Sequence, residues 1–460
     1  MPDVTSGPTL HALAERLQRR EVRAIDLVDS CLEQIERHAA LNAFITLLAD
    51  EAHAQAAQAD REIASGQHRG PLHGIPISLK DLIDVAGVPT TAASRVREGH
   101  RAATDAPVVT RLRHAGAVII GKTNLHEFAL GTTSEDSAFG PARNPFDPSR
   151  SPGGSSGGSA IAVATGMSVA SVGTDTGGSI RIPSAACGIV GLKPALGEIP
   201  TDGVVPLSRT LDHVGPMAQC VLDAALMYEA LSGRATRAAD WKPAAAPLHF
   251  VVPEPFYFDV LDDDVRSRFD RACERLRGAG HAVQRGKIAY AELVPAVYLP
   301  IVLAEAAAYH AATLEAMPDR YVPAVRSRFE MGRYVLAEDY VRAMRGREVL
   351  TAAVDAAFAD ADALLLPALA IPAPPIGAAS LDVAGTKAPV RAITLKLTQT
   401  FNITGHPAIS LPMGMTPQGL PCGCQIVGRR EATRQLLRIA LAAEAAQIAP
   451  GPGSVGGGTG

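Results

Sequence analysis

Two glycine-serine runs constrain this chain more than any other feature. Pro152-Gly-Gly-Ser-Ser-Gly-Gly-Ser159 is answered downstream by Gly173-Thr-Asp-Thr-Gly-Gly-Ser-Ile-Arg181, and each holds a glycine-flanked serine, Ser155 and Ser179. Glycine adopts backbone conformations closed to other residues, so such loops bring hydroxyls and free N–H groups close to a bound molecule. A flexible linker has the same composition. However, the first run passes directly into Ala160-Ile-Ala-Val-Ala164, which is core sequence. The pair therefore reads as a catalytic centre held inside a packed fold.

The rest of the chain supplies that fold. With 47% hydrophobic and 20% charged residues among 460, it can bury a large core. Residues 1–65 read as helical, with a stripe at Ile25, Val28, Leu32 and Ile35 and a surface helix over 50–65. From Leu72 short apolar runs alternate with helical stretches. Strands are expected at 75–79, 117–120, 249–252, 363–366 and 408–411. Helices are expected at 106–114, around Val265, Phe269, Cys273 and Leu276, and at 432–446. This alternation argues for an α/β fold with helices on the faces of a sheet. The Pro/Ala stretch 242–247 is too short to demonstrate a domain boundary, so residues 1–449 are expected to form one domain. The Gly-rich stretch 450–460 is expected to be a disordered tail.

Net charge −4 gives no basic footprint for nucleic acid or an anionic membrane surface. No apolar stretch of about 18 residues is free of charges and helix breakers, so no membrane span is expected. The N-terminus lacks the apolar core of a secretory signal. The six cysteines are scattered without a Cys-x-x-Cys pair, which argues against a disulfide framework or zinc site. A cytoplasmic location is the expectation, with no metal and no cofactor.

Two motifs imitate other chemistries. Gly116-Ala-Val-Ile-Ile-Gly-Lys-Thr123 matches a phosphate-binding loop letter for letter, but its middle residues are themselves strand-forming and cannot wrap a phosphate. Gly153-Gly-Ser-Ser-Gly157 matches a nucleophile elbow, yet the proline-broken 144–152 replaces the strand an elbow requires. Nor does context single out a base among His213, His249, His281, His310 and His406. Lys80 is the remaining candidate, because it ends an apolar strand at the edge where α/β folds place chemistry. To act as a base its pKa must fall from about 10.4 to near 7 or 8 through burial.

These segments together resemble the amidase signature family. The likeness rests on both Gly/Ser runs, Gly74-Ile-Pro-Ile-Ser-Leu-Lys-Asp81, Gly121-Lys-Thr-Asn124, Cys187-Gly-Ile-Val-Gly-Leu-Lys-Pro194, Phe401-Asn-Ile-Thr-Gly-His-Pro407 and Gly423-Cys-Gln-Ile-Val-Gly428. The resemblance implies a central mixed β-sheet covered by helices on both faces. It also implies a Ser-Ser-Lys triad: Ser179 as nucleophile, Ser155 as bridge after a cis Gly154–Ser155 peptide, and Lys80 as neutral base. Backbone N–H groups of Thr176, Gly177, Gly178 and Ser179 would form the oxyanion hole, and Ala129, within 128–134, would face the acyl group. Asp175 and Arg181 are expected to shape the loop, and Ser156 and Ser159 to form turns.

Two branches of the family compete. One is a stand-alone amidase acting on a small-molecule amide. The other is the glutaminase subunit of a tRNA-dependent amidotransferase, expected to offer an acidic residue near Gly405-His-Pro407. No Asp or Glu stands between Asp382 and Glu431, so the free amidase is the expected branch. A homodimer is left open as its assembly. Tyr290, Tyr298, Phe329 and Tyr334 could line an apolar cavity, with packing in the core as the default.

Overall fold

The computed structural model describes residues 7–235, 237–245 and 247–448. The Gly-rich tail expected at 450–460 lies outside them. Among the described residues thirteen strands form in chain order: β1 Phe44–Leu47, β2 Pro76–Lys80, β3 Val118–Thr123, β4 Ala170–Asp175, β5 Val190–Lys193, β6 His213–Ala218, β7 His249–Pro253, β8 Ala282–Gly286, β9 Ala363–Pro367, β10 Ser380–Val383, β11 Thr386–Pro389, β12 Ala408–Met415 and β13 Pro421–Val427. Eleven make one mixed sheet in the order β1-β3-β2-β4-β6-β5-β12-β13-β9-β7-β8, and β10–β11 is a separate hairpin.

The strands expected at 75–79, 117–120, 249–252, 363–366 and 408–411 all lie in this sheet, with boundaries shifted by a residue or more. Their sequences are continuous apolar runs, which suit strands covered on both faces. The expected helices are present at Pro107–His114, Asp263–Gly278 and Thr433–Ala445. Within the N-terminal segment, helices Leu10–Gln18, Ala24–Arg37 and Ala49–Ala64 follow the apolar stripes. One correction falls there: Phe44–Leu47 is a strand, paired antiparallel to β3, because Phe44 and Thr46 extend the open sheet edge. The 49–64 helix is also less superficial than expected, burying Ala52, Ala56, Ala59 and Ile63. The sheet runs on through β7, β8 and β9, beyond the Pro/Ala stretch at 242–247.

Pairing in the first half positions the Gly/Ser runs. β2 and β4 are parallel neighbours, with Leu79 opposite Val172, so the ends at Lys80 and Asp175 emerge at the same edge. The first run leads into the helix Gly157–Ala164, all eight residues of which are buried. Beyond that edge lies a second apolar cluster. Helices Val294–Ala316, Pro323–Gly332 and Ala337–Ala356 pack there over Phe128, Ala129 and Leu130. The first of these helices is apolar and long enough to cross a membrane, but it carries Pro300 and Glu305 and buries Val297, Tyr298, Ile301 and Val302 against the protein.

Candidate active site

Lys80 ends a strand whose five residues are all buried, and its own side chain has no exposure. The Nζ donates to the Ser155 hydroxyl at 2.7 Å and to the Thr174 hydroxyl at 2.8 Å. No carboxylate stands within ion-pairing distance among the described residues. Its sequence neighbour Asp81 instead pairs with Lys122 at 2.9 Å. Burial therefore pushes the Lys80 ammonium down to about 7, against a weaker upward pull from Asp175 and Asp212. A lysine of that pKa is half neutral near physiological pH and can accept a proton.

Ser155 follows a cis Gly154–Ser155 peptide, as the resemblance implied, and is fully buried. The glycines around it allow loops to meet. A Cβ on Gly154 would lie 2.8 Å from the backbone nitrogens of Thr133 and Ser134. One on Gly158 would lie 2.4 Å from the Ala43 and Asn124 carbonyl oxygens. The freed space is used at once: His126 N–H and the Ser134 hydroxyl both donate to the Ser155 carbonyl, and Gly157 N–H donates to Ser134 Oγ. Ser156 ties the two runs together. Its N–H donates to the Ser179 carbonyl at 3.1 Å and its hydroxyl to the Thr174 carbonyl at 3.2 Å. Ser159 shares a hydrogen bond with Thr123 at 2.7 Å.

The second run is shaped by a buried ion pair, in line with the expectation for Asp175 and Arg181. Asp175 accepts from Ile180 N–H at 3.0 Å and from Arg181 Nε and Nη2 at 3.1 and 2.9 Å. Arg181 also donates to the Thr398 carbonyl, Gln425 and Asn402, so its fork is well satisfied. Burial alone would raise the Asp175 pKa, but Arg181 and Asn402 outweigh it and hold the carboxyl ionised, well below the usual range. The loop between these anchors is clamped further. Thr176 donates to Asp212 at 2.6 Å, and Thr398 donates to the Gly177 carbonyl at 2.6 Å. Gly178 has φ +140°, and a Cβ there would lie 2.2 Å from Thr398 Oγ1. Ser179 sits at the end of this loop, 5% exposed. The N–H groups of Gly177, Gly178 and Ser179 meet no acceptor among the described residues, which leaves them free to receive a developing negative charge. Ala129 lines a small cavity together with Thr174, Thr176 and Leu82.

Thr174 escaped the sequence reading, while Tyr298 and His213 were named there without a settled role. Thr174 lies inside the quoted run, one position before Asp175, and strand pairing of β2 with β4 is the signal that brings it to Lys80. Tyr298 packs with its hydroxyl against Gly177: a Cβ on that glycine would lie 2.3 Å from it. His213 is buried, donating from Nδ1 to the Leu211 carbonyl at 2.7 Å and placing Nε2 3.2 Å from Lys193. Burial and the Lys193 charge push its pKa well down. Of the four aromatic residues named for an apolar cavity, Phe329 is packed among Phe128, His310 and Tyr321. Tyr290 and Tyr334 are not in the core; they are 54% and 83% exposed.

The decoys resolve physically. Gly121 and Lys122 lie within β3. A Cβ on Gly121 would meet the Thr46 carbonyl at 2.5 Å, so that glycine serves sheet packing. No strand enters the first Gly/Ser run: none occurs between β3 and β4. All six cysteines are free thiols. His11, Cys220 and Asp223 cluster elsewhere, but the Asp223 carboxylate is already taken by Leu10 N–H, His11 N–H and the His11 ring.

Known proteins share this chain's sequence and fold over most of its length. The Amidase family model matches residues 26–437. An amidase of Pseudomonas putida is 40% identical over 456 residues, spanning 95% of this chain and 96% of that protein. A glutamyl-tRNA(Gln) amidotransferase subunit of Koribacter versatilis is 35% identical over 482 residues, spanning 96% and 98%. A crystal structure of an amidase superposes with a TM-score of 0.91 at 37% identity, covering 95% of this chain and 99% of its own. The chain belongs to the amidase signature family and is an amidohydrolase.

Proposed function

We propose that the protein hydrolyses a carboxamide C–N bond through an acyl-enzyme, with Ser179 as nucleophile, Ser155 as proton bridge and Lys80 as neutral base. One observation carries the reading. A lysine with no carboxylate partner, lowered to about 7, donates to the Ser155 hydroxyl at 2.7 Å. Ser179 Oγ attacks the amide carbonyl while its proton passes through Ser155 to Lys80. The N–H groups of the 176–179 loop receive the oxyanion. The tetrahedral adduct then collapses, the C–N bond breaks, and the proton returns through Ser155 to the departing amine. Water attacks the resulting ester while its proton passes to Lys80; the C–O bond to Ser179 then breaks, the proton returns through Ser155 to Ser179 Oγ, and the carboxylic acid leaves.

We further propose that the enzyme acts alone on a small-molecule amide, without nucleic acid, membrane or cofactor, in the cytoplasm. Residues 383–430 support this branch: they offer no carboxylate to a glutamine ammonium, and among them Leu395 stands 3.1 Å from where a Gly177 Cβ would lie. The amidotransferase relatives keep the glutaminase alternative in view. Purified protein incubated with a serine-reactive phosphonate should gain mass on the peptide bearing Ser179, and should release ammonia from simple amides without a partner. Labelling elsewhere refutes the assignment of the nucleophile. Turnover confined to glutamine and dependent on a co-expressed partner protein refutes the branch.

A further inference from the structure

The loop that offers the oxyanion donors is held from outside at three points, and one of them is a carboxylate that the proposed reaction does not use. Asp175 is gripped by Arg181 and Asn402, and Thr398 donates to the Gly177 carbonyl at 2.6 Å. The Thr398 bond fixes the 177–178 peptide, which carries the Gly178 N–H. The Gly177 N–H belongs to the peptide before it, and neither backbone group of Thr176 has a hydrogen-bond partner among the described residues. Residue 176 is held by its side chain instead: the hydroxyl donates to Asp212 Oδ1 at 2.6 Å. Packing does not replace that bond, because Thr176 and Asp212 both line the small cavity with Leu82, Ala129 and Leu207.

Asp212 is itself fixed. Its Oδ2 accepts from the Leu207 and Ser208 N–H groups at 3.0 and 3.1 Å, which closes the turn 207–212, and the next residue begins β6. Glu305 braces that turn, accepting from the Ser208 hydroxyl at 2.7 Å and from Thr210 N–H and Oγ1 at 3.1 and 2.7 Å. No Lys or Arg stands within ion-pairing distance of either carboxylate among the described residues. Burial pushes the Asp212 carboxyl up to about 6, and Glu305 adds to that push. Two acids without a cation are a costly way to close one turn, so their position calls for a further reason. Helix Val294–Ala316 supplies it. Tyr298 and Glu305 stand two turns apart along one face of that helix. Tyr298 sets its hydroxyl against Gly177 directly, and Glu305 reaches Thr176 through the turn and Asp212.

We propose that Asp212, braced by Glu305, is a positioning residue for the oxyanion loop, holding Thr176 so that the Gly177 N–H points at the developing negative charge. This rests on the amidase reading above. Glycines at 177 and 178 leave the peptides between them free to turn, so each donor needs its own external anchor. Thr398 aims one and Asp212 the other. Oxyanion donors act on the transition state more than on the bound ground state. Losing this anchor therefore slows bond formation and leaves binding in place.

The test is the rate at which a serine-reactive fluorophosphonate labels Ser179, followed by mass spectrometry at pH 9. That pH lies well above the Lys80 midpoint near 7, so removing the Asp212 charge leaves the fraction of neutral base unchanged. Thr176→Val keeps the shape of the side chain and removes the hydroxyl. It should lower the saturating rate constant by roughly 10- to 100-fold and leave the half-saturating concentration unchanged. Thr176→Ser should restore most of the rate. Asp212→Asn should lose a similar factor, and the double variant Thr176→Val/Asp212→Asn no more than the worse single one, since both break the same hydrogen bond. Each variant should still label to completion. Partial labelling at the wild-type rate, the mark of incomplete folding, overturns the proposal. So do a wild-type rate in Thr176→Val, a Thr176→Ser as slow as Thr176→Val, and losses that multiply in the double variant. A wild type that does not label at Ser179 fails the amidase reading instead.

Discussion

Lys80 and Lys122 sit on neighbouring parallel strands, both without exposure, yet their surroundings differ by one carboxylate. Lys122 faces Asp81 at 2.9 Å and also donates to the Pro89 carbonyl and Thr90. Lys80 faces only the hydroxyls of Ser155 and Thr174. Burial disfavours both ammonium groups, but Asp81 opposes that shift directly at Lys122, whereas the carboxylates acting on Lys80 do so from a distance. A buried ion pair fixes structure; a buried lysine among hydroxyls is free to exchange a proton. The motif that looked like a phosphate loop thus contains the structural lysine, and the strand lacking any glycine signature carries the proposed chemical one.

That contrast can be broken at either side. Lys80→Met should lower kcat by roughly 10³-fold or more, with the fold retained, since no ion pair is lost. Calorimetry should give a Tm no lower than wild type, and a folded variant with near-native turnover would refute the base assignment. Lys122→Met should do the reverse. It strands Asp81 in the core and should cost about 3–5 kcal/mol in denaturant unfolding. Removing both partners as Lys122→Met/Asp81→Leu should recover much of that loss.

The pH profile is the third test. Lys80 must be neutral to act, so kcat/KM should fall about tenfold per pH unit below a midpoint near 7 and level off above it. The stability linkage has a defined sign. The native pKa is about 7 and the ordinary value 10.5, so between them the unfolded chain binds a proton the native one has released. This group therefore makes stability rise with pH across that window and contributes no slope above it. The smallest effect concerns Thr174→Val, which removes one acceptor from the ammonium. We expect roughly a tenfold loss in kcat/KM and a midpoint displaced downward, because that hydrogen bond favours the charged form. An unmoved midpoint would reduce Thr174 to packing.

Much of this centre was legible in the chain because its key groups lie on short, local signals. Ser155 and Ser179 stand in glycine runs, and Lys80 ends an apolar strand. The glycines were legible in kind but not in cause. Gly153 and Gly178 do use positive φ, while Gly154, Gly157 and Gly158 are small because loops from residues 43, 124 and 132–134 press against them. What failed was long-range. Asn402, Gln425 and Thr398 grip Arg181 or its loop from more than 200 residues away, and no periodicity announces such contacts. Tyr298 lies in an apolar helix whose pattern does not distinguish a core face from a pocket wall. The strand at 44–47 was missed because four residues between two strong helices carry too little alternation to register.

The central claim is that Lys80 is neutral at working pH, and lysine-selective NMR titration tests it most directly. With ¹³Cε- or ¹⁵Nζ-labelled lysine, one resonance absent from Lys80→Met should titrate near pH 7. If the resonance assigned to Lys80 keeps the shift of a charged ammonium up to pH 9, the account of this site is wrong.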